Sequence, residues 1–163
     1  MVKVVRQVSS AGKQLEVALK NLKGKVGKVG WFEKSKYENG ISVAQVATIQ
    51  EYGYPPKNIP PRPFMRPTIE NKRVEWQKVA ESGAKAILKG NQTLYNVMEG
   101  IGLKAAGDIR KTISQIWSPP LSPRTIAARL RKRKNKKITG NLTKPLIDTG
   151  IMLGTLTNTV EDE

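Results

Sequence analysis

Charge at close spacing is the chemistry most visible in this chain. Seven of the nine residues 129–137 are cationic: Arg129, Arg131, Lys132, Arg133, Lys134, Lys136 and Lys137. A run of that density neutralises phosphates, each contact adding roughly one unit to the salt dependence of binding. No aromatic is interleaved with it, so stacking on bases is not indicated. Three uses fit the run: nucleic acid held through phosphates, an acidic protein partner, or a solvated basic loop that favours the end of the preceding helix electrostatically. A second cluster, Tyr52, Arg62, Phe64, Met65 and Arg66, sets aromatic surface beside two guanidinium groups. Those groups suit bidentate contacts to carboxylates across an interface, or a solvated rim worth under ~1 kcal/mol each.

Other chemistry is excluded by absences. The chain has no histidine and no cysteine. Ser-His-Asp and Cys-His nucleophilic sites, and any His- or Cys-ligated zinc site, therefore cannot form. The three aspartates and ten glutamates are scattered, with no D-x-D, D-x-N or E-x-x-E cluster to hold Mg²⁺ or Ca²⁺. We expect no catalytic residues, no cofactor and no metal.

The aromatic-arginine cluster lies in residues 50–67, where six of eighteen positions are proline. Proline fixes φ and removes an amide donor, which excludes a helix interior or central strand. A disordered linker would be poor in aromatics. The composition instead predicts a rigid, partly buried connector over residues 53–67. Pro60 and Pro63 satisfy P-x-x-P, a pattern read by SH3 and WW domains. The better reading packs Phe64 and Met65 under the following helix, because Tyr52, Tyr54, Phe64 and Met65 need burial.

A length of 163 residues suits one domain, here residues 1–163. The net charge of +16 is uneven: residues 119–147 carry nine Lys/Arg and no acid, and residues 148–163 carry four acids and no base. Such a field favours polyanions or acidic surfaces and discourages self-association in isolation. No window is apolar enough to span a membrane, and the basic N-terminus lacks the apolar stretch of a secretory signal.

Periodicity places the elements. Helices are predicted over residues 10–23 and 42–52, the latter with Ser42 as cap. Residues 67–89 form another, with a stripe of Ile69, Val74, Trp76, Val79, Ala80, Ala84 and Ile87. Residues 91–116 give the clearest pattern, with Leu94, Val97, Met98, Ile101, Ala105, Ile109 and Ile113 at steps of three and four. Ser122-Pro123 opens a helix that runs into the basic segment, which is expected to continue as a loop over residues 129–140. Ile151 to Leu153 form a short helix. Residues 25–33 and 155–160 read as strands, the first broken by Gly27 and Gly30. Trp31, Trp76 and Trp117 read as core or helix-edge packing. The fold expected is α+β: a small, mostly antiparallel sheet packed against two long helices and shorter ones. Two strands cannot make a stable sheet alone, so residues 2–8 or a neighbouring subunit would have to complete it.

The order of these motifs resembles a known family. A helix ending in Gln50-Glu51-Tyr52-Gly53 leads into Ile59-Pro60-Pro61-Arg62-Pro63-Phe64-Met65-Arg66-Pro67. Two long helices follow, then Leu121-Ser122-Pro123-Arg124-Thr125-Ile126, then Pro145-Leu146-Ile147-Asp148-Thr149-Gly150-Ile151-Met152-Leu153. This is similar to the tail-completion (neck) proteins of tailed bacteriophages, the family of the Mu-like virion-morphogenesis protein, and the likeness spans roughly residues 25–160. Family members often carry histidine where this chain has Gln50, a position with no catalytic role. The resemblance implies a non-enzymatic virion part, assembled in the host cytoplasm. Such parts form a homo-oligomeric ring, commonly sixfold, at the head-proximal end of the tail. The implied neighbours are head-completion or connector proteins and tail-terminator or tail-tube proteins. On this basis Tyr52, Arg62, Phe64, Met65 and Arg66 are candidates for subunit or ring contacts. The basic run is the candidate for an acidic partner, or for phage DNA touched through phosphates only. The alternative is a free-standing basic nucleic-acid-binding protein.

Overall fold

The computed structural model describes residues 24–135 and 141–162, together with Glu16, Val17 and Lys20. The expected helix over residues 10–23 (those three positions aside), the contingent strand over residues 2–8, and Lys136 and Lys137 lie outside the described residues.

The order is β1 (Lys25–Gly30), α1 (Val43–Tyr52), a 3₁₀ turn at Pro55–Lys57, α2 (Met65–Leu88), α3 (Leu94–Gln115), α4 (Pro123–Asn135), α5 (Ile151–Gly154) and β2 (Thr157–Asp162). The fold is α+β. β1 and β2 pair antiparallel, with Lys25 opposite Asp162, Gly27 opposite Val160 and Gly30 opposite Thr157. β1 is shorter than the expected 25–33 because Trp31 leaves the sheet for the core, where its indole donates to the Met152 carbonyl at 2.8 Å.

Helix α3 is the middle layer, with the sheet on one side and α2 on the other. Packing on a helix supports a two-stranded sheet, and the strand expected from residues 2–8 lies outside the described residues. Glycines permit the close approach. A Cβ on Gly102 would lie 2.8 Å from the Asn158 side chain. On the opposite seam, a Cβ on Gly83 of α2 would meet Val97 of α3 at 2.3 Å.

One cluster of buried side chains forms the core: Val43, Ala47, Phe64, Ala106, Ile109, Ile113, Met152 and Leu156. It gathers α1, the start of α2, the C-terminal half of α3, and the α5–β2 segment. Each large side chain fully buried there contributes roughly 1.5–3 kcal/mol. Arg110 of α3 reinforces the joint by donating to the carbonyls of Leu153, at 3.1 Å, and Leu156.

The stripe predicted for α2 is buried only in part: Trp76, Ala80 and Ala84 are half-buried and Ile87 is buried. Ile69, Val74 and Val79 are exposed, while Thr68 and Ile87 are the buried residues. The physical reason is that α2, past its first turn, packs mainly along α3 among the described residues, so a narrow strip suffices. Thr68 donates to Thr112 at 2.6 Å and the Trp76 indole donates to Asp108 at 2.8 Å. Lys104 of α3 also meets Glu75 of α2 at 2.6 Å. Hydrogen bonds from Lys104 and then Lys72 hold the Glu75 carboxyl at about 2. Ser42 precedes α1 but makes no side-chain cap, whereas Thr93 accepts from the Asn96 amide at 3.2 Å at the start of α3.

Candidate functional site

The proline connector folds into a tight elbow between α1 and α2. Tyr54 and Ile59 exchange backbone hydrogen bonds of 2.8 and 3.1 Å, closing a small loop around the 3₁₀ turn. Gly53 opens it at φ +78°, and a Cβ there would lie 2.9 Å from the Ile59 carbonyl oxygen. This position requires glycine. The Arg62 amide then returns to the Gln50 carbonyl at 2.6 Å. Helix α2 begins at Met65, so the connector is shorter than the expected 53–67, and Pro67 falls in the first turn, where a missing N–H costs little.

A residue that sequence reasoning missed fixes that first turn. Glu51 is only 3% exposed, and its carboxylate accepts from the amides of Phe64 (2.7 Å), Met65 (2.9 Å) and Arg66 (3.1 Å). The Arg66 guanidinium adds a contact at 3.0 Å and reaches the Glu51 carbonyl at 3.1 Å. Burial pushes the Glu51 carboxyl upward. The three amides and Arg66 outweigh it, so the group stays below its ordinary value and charged. The N-cap position is Phe64, which has no side-chain acceptor, so the helix borrows one from α1.

Arg62 and Phe64 are not surface residues, which corrects their assignment as subunit contacts. Arg62 is 4% exposed and donates to the carbonyls of Pro119 (2.7 Å) and Pro120 (2.9 Å) and to the Gln50 side chain (3.2 Å). Phe64 is fully buried, with its ring edge-on to Trp31 at 5.7 Å. Met65 is half-buried against the same core. Of the five candidates, Tyr52 and Arg66 remain at the surface, with the guanidinium 4.7 Å from the Tyr52 ring centre.

The basic segment divides in the same way. Residues 129–135, expected as loop, are helical, because Arg and Lys are good helix formers and nothing from Pro123 to Asn135 interrupts them. Arg129 faces inward: one guanidinium nitrogen donates to the carbonyls of Leu142 (3.2 Å), Lys144 (2.7 Å) and Ile147 (3.0 Å). Its Nε lies 3.4 Å from Asp148. It therefore staples the 141–148 segment and is not free for phosphate, another correction. Arg131 and Lys132 are exposed. Arg133 and Lys134 lie in the last turn of α4.

The two candidate regions are neighbours. Burial, followed by the like charge of Arg129, lowers the pKa of Arg62. Between them opens a cleft of about 380 Å³ lined by Tyr37, Gln50, Arg129, Lys132, Asp148 and Ile151, among others. Burial and then the Asp148 charge push the Tyr37 phenol up, so it stays protonated. Trp117, expected as core or helix-edge packing, is 54% exposed and carries the Lys144 ammonium 3.8 Å above its ring. Among the described residues no three aspartates or glutamates gather as a metal site would require. No protein-family model, curated protein or solved structure matches the chain.

Proposed function

We propose that this chain is a structural part of a phage neck, forming a homo-oligomeric ring that completes the head-proximal end of the tail and joins it to the DNA-filled head. One observation carries the reading: the residues of the resemblance form a single joint. Glu51, Gly53, Arg62, Phe64 and Arg66 lock α1, the elbow and α2 together, and Arg62 draws in the Pro119-Pro120 segment. A motif whose charged groups contact the chain's own backbone suits an architectural role. It leaves Tyr52 and Arg66 as the outward face of that joint.

The test is detection of the protein in purified particles by mass spectrometry, with Tyr52→Ala and Arg66→Ala variants scored for joined heads and tails. The expected result is presence in particles and fewer joined particles for the double variant. Absence from mature particles overturns the proposal.

The exposed Arg131 and Lys132 on α4 favour one second reading, a free-standing nucleic-acid binder. That protein would retard duplex DNA by itself, with affinity falling steeply as salt rises. Removing these two cations would flatten the dependence by about two units if each meets a phosphate.

A further inference from the structure

The two strands are opposite in charge. β1 carries Lys25 and Lys28 and no acid, whereas β2 carries Glu161 and Asp162 and no base. Within the chain Lys25 meets Asp162 and Lys28 meets Glu161, all four at the surface. An ammonium has three donors and a carboxylate about four acceptor positions, so each group keeps capacity for a second partner. Among the described residues neither strand pairs with a third, and none of those residues takes up the row of backbone donors and acceptors along either outer edge. Neither strand contains a proline that would blunt that edge.

We propose that the free edge of β2 in one copy pairs antiparallel with the free edge of β1 in the next, extending the sheet head to tail. Charge selects this pairing. β1 against β1 opposes lysines, and β2 against β2 opposes carboxylates. Only β2 against β1 places unlike charges together. Strand direction then keeps alternating as it does within the chain. The joint uses two different surfaces, so it propagates around an axis and closes as a ring when the rotation permits. The inference rests on reading the chain as a self-assembling ring part, and it names the contact that joins the copies.

The test is a full charge exchange, Lys25→Glu, Lys28→Glu, Glu161→Lys and Asp162→Lys, in the intact chain. The exchange preserves both ion pairs within a copy and, in a head-to-tail joint, those between like copies. The exchanged protein should assemble with itself as the parent does, yet the two, carrying different tags, should fail to co-assemble. Free mixing overturns the proposal, preferential mixing shows a self-complementary edge instead, and a parent that stays monomeric at its highest soluble concentration also overturns it. A second measurement covers the case of an exchanged chain that does not fold. The sequence has no cysteine, and Lys28 lies opposite Thr159 within the chain, a register that the proposed joint repeats between copies. Lys28→Cys and Thr159→Cys molecules should therefore form disulfide-linked dimers when mixed and not when oxidised separately. No mixed dimer, or equal dimers from either alone, rejects the joint. A protein that sorts incorrectly but is found in particles loses only this joint; absence from particles removes the ring reading and leaves the sorting result untouched.

Discussion

At the elbow, charged side chains lie inside: Glu51 and Arg62 are 3% and 4% exposed. Along α2, apolar side chains lie outside, with Ile69 at 48% and Val74 at 55%. Hydropathy alone would place these groups the other way round. What separates them is the availability of backbone partners. The elbow crowds a helix start and two consecutive prolines into a small space, leaving amides and carbonyls that only a charged side chain can reach. A buried charge is tolerated where such partners surround it. Beyond its first turn, helix α2 satisfies its own backbone and packs mainly along α3, so apolar residues off the contact strip stay wet.

The comparison breaks first at Phe64. Phe64→Ala should cost about 3–5 kcal/mol in denaturant or thermal unfolding, as expected for a large side chain lost from a packed core. Unchanged stability with impaired assembly would return Phe64 to an interface. Glu51→Gln should cost about 1.5–3 kcal/mol, because a neutral amide replaces a carboxylate that serves three amides and a guanidinium. The folded carboxyl titrates below its ordinary 4.5. Its contribution is therefore complete above that value and lost as pH falls through the lower folded one. The stability gap between parent and variant should shrink on acidification below about 4.5; a gap unchanged there would deny the carboxylate its capping role. The smallest effect belongs to α2. Ile69→Asp and Val74→Asp should each change stability by no more than about 0.5 kcal/mol. A loss of core size would mean that this face is covered.

Much of the architecture was legible. The steps of three and four along Val97, Ile101, Ala105 and Ile109 located α3, and the strand expected over residues 155–160 overlaps β2. These patterns are local in sequence and need no tertiary knowledge. The elbow's partners were hidden because they are distant in sequence. Glu51 acts on amides that follow it by 13 to 15 positions, and Arg62 on carbonyls 57 and 58 positions away. One signal was present for Glu51. No Ser, Thr, Asp or Asn precedes Met65, so the start of α2 lacked a local acceptor. A comparable signal marked Pro119 and Pro120, whose carbonyls no regular ladder would occupy. Arg129 resembled its six cationic neighbours in composition, and only its position on the inner side of α4 distinguishes it.

The Glu51 carboxylate and the Arg62 amide pin the entry of α2 directly to α1. The stiffness of residues 55–59 is therefore unnecessary for aiming the long helix. Lengthening a surface loop adds little closure entropy, so this tip can be enlarged or exchanged while the frame beneath it holds its geometry. Such an arrangement separates a part free to follow a changing neighbour from a part that must not move. Over evolutionary time, sequence drift at the tip would adapt what it touches without retuning the fold.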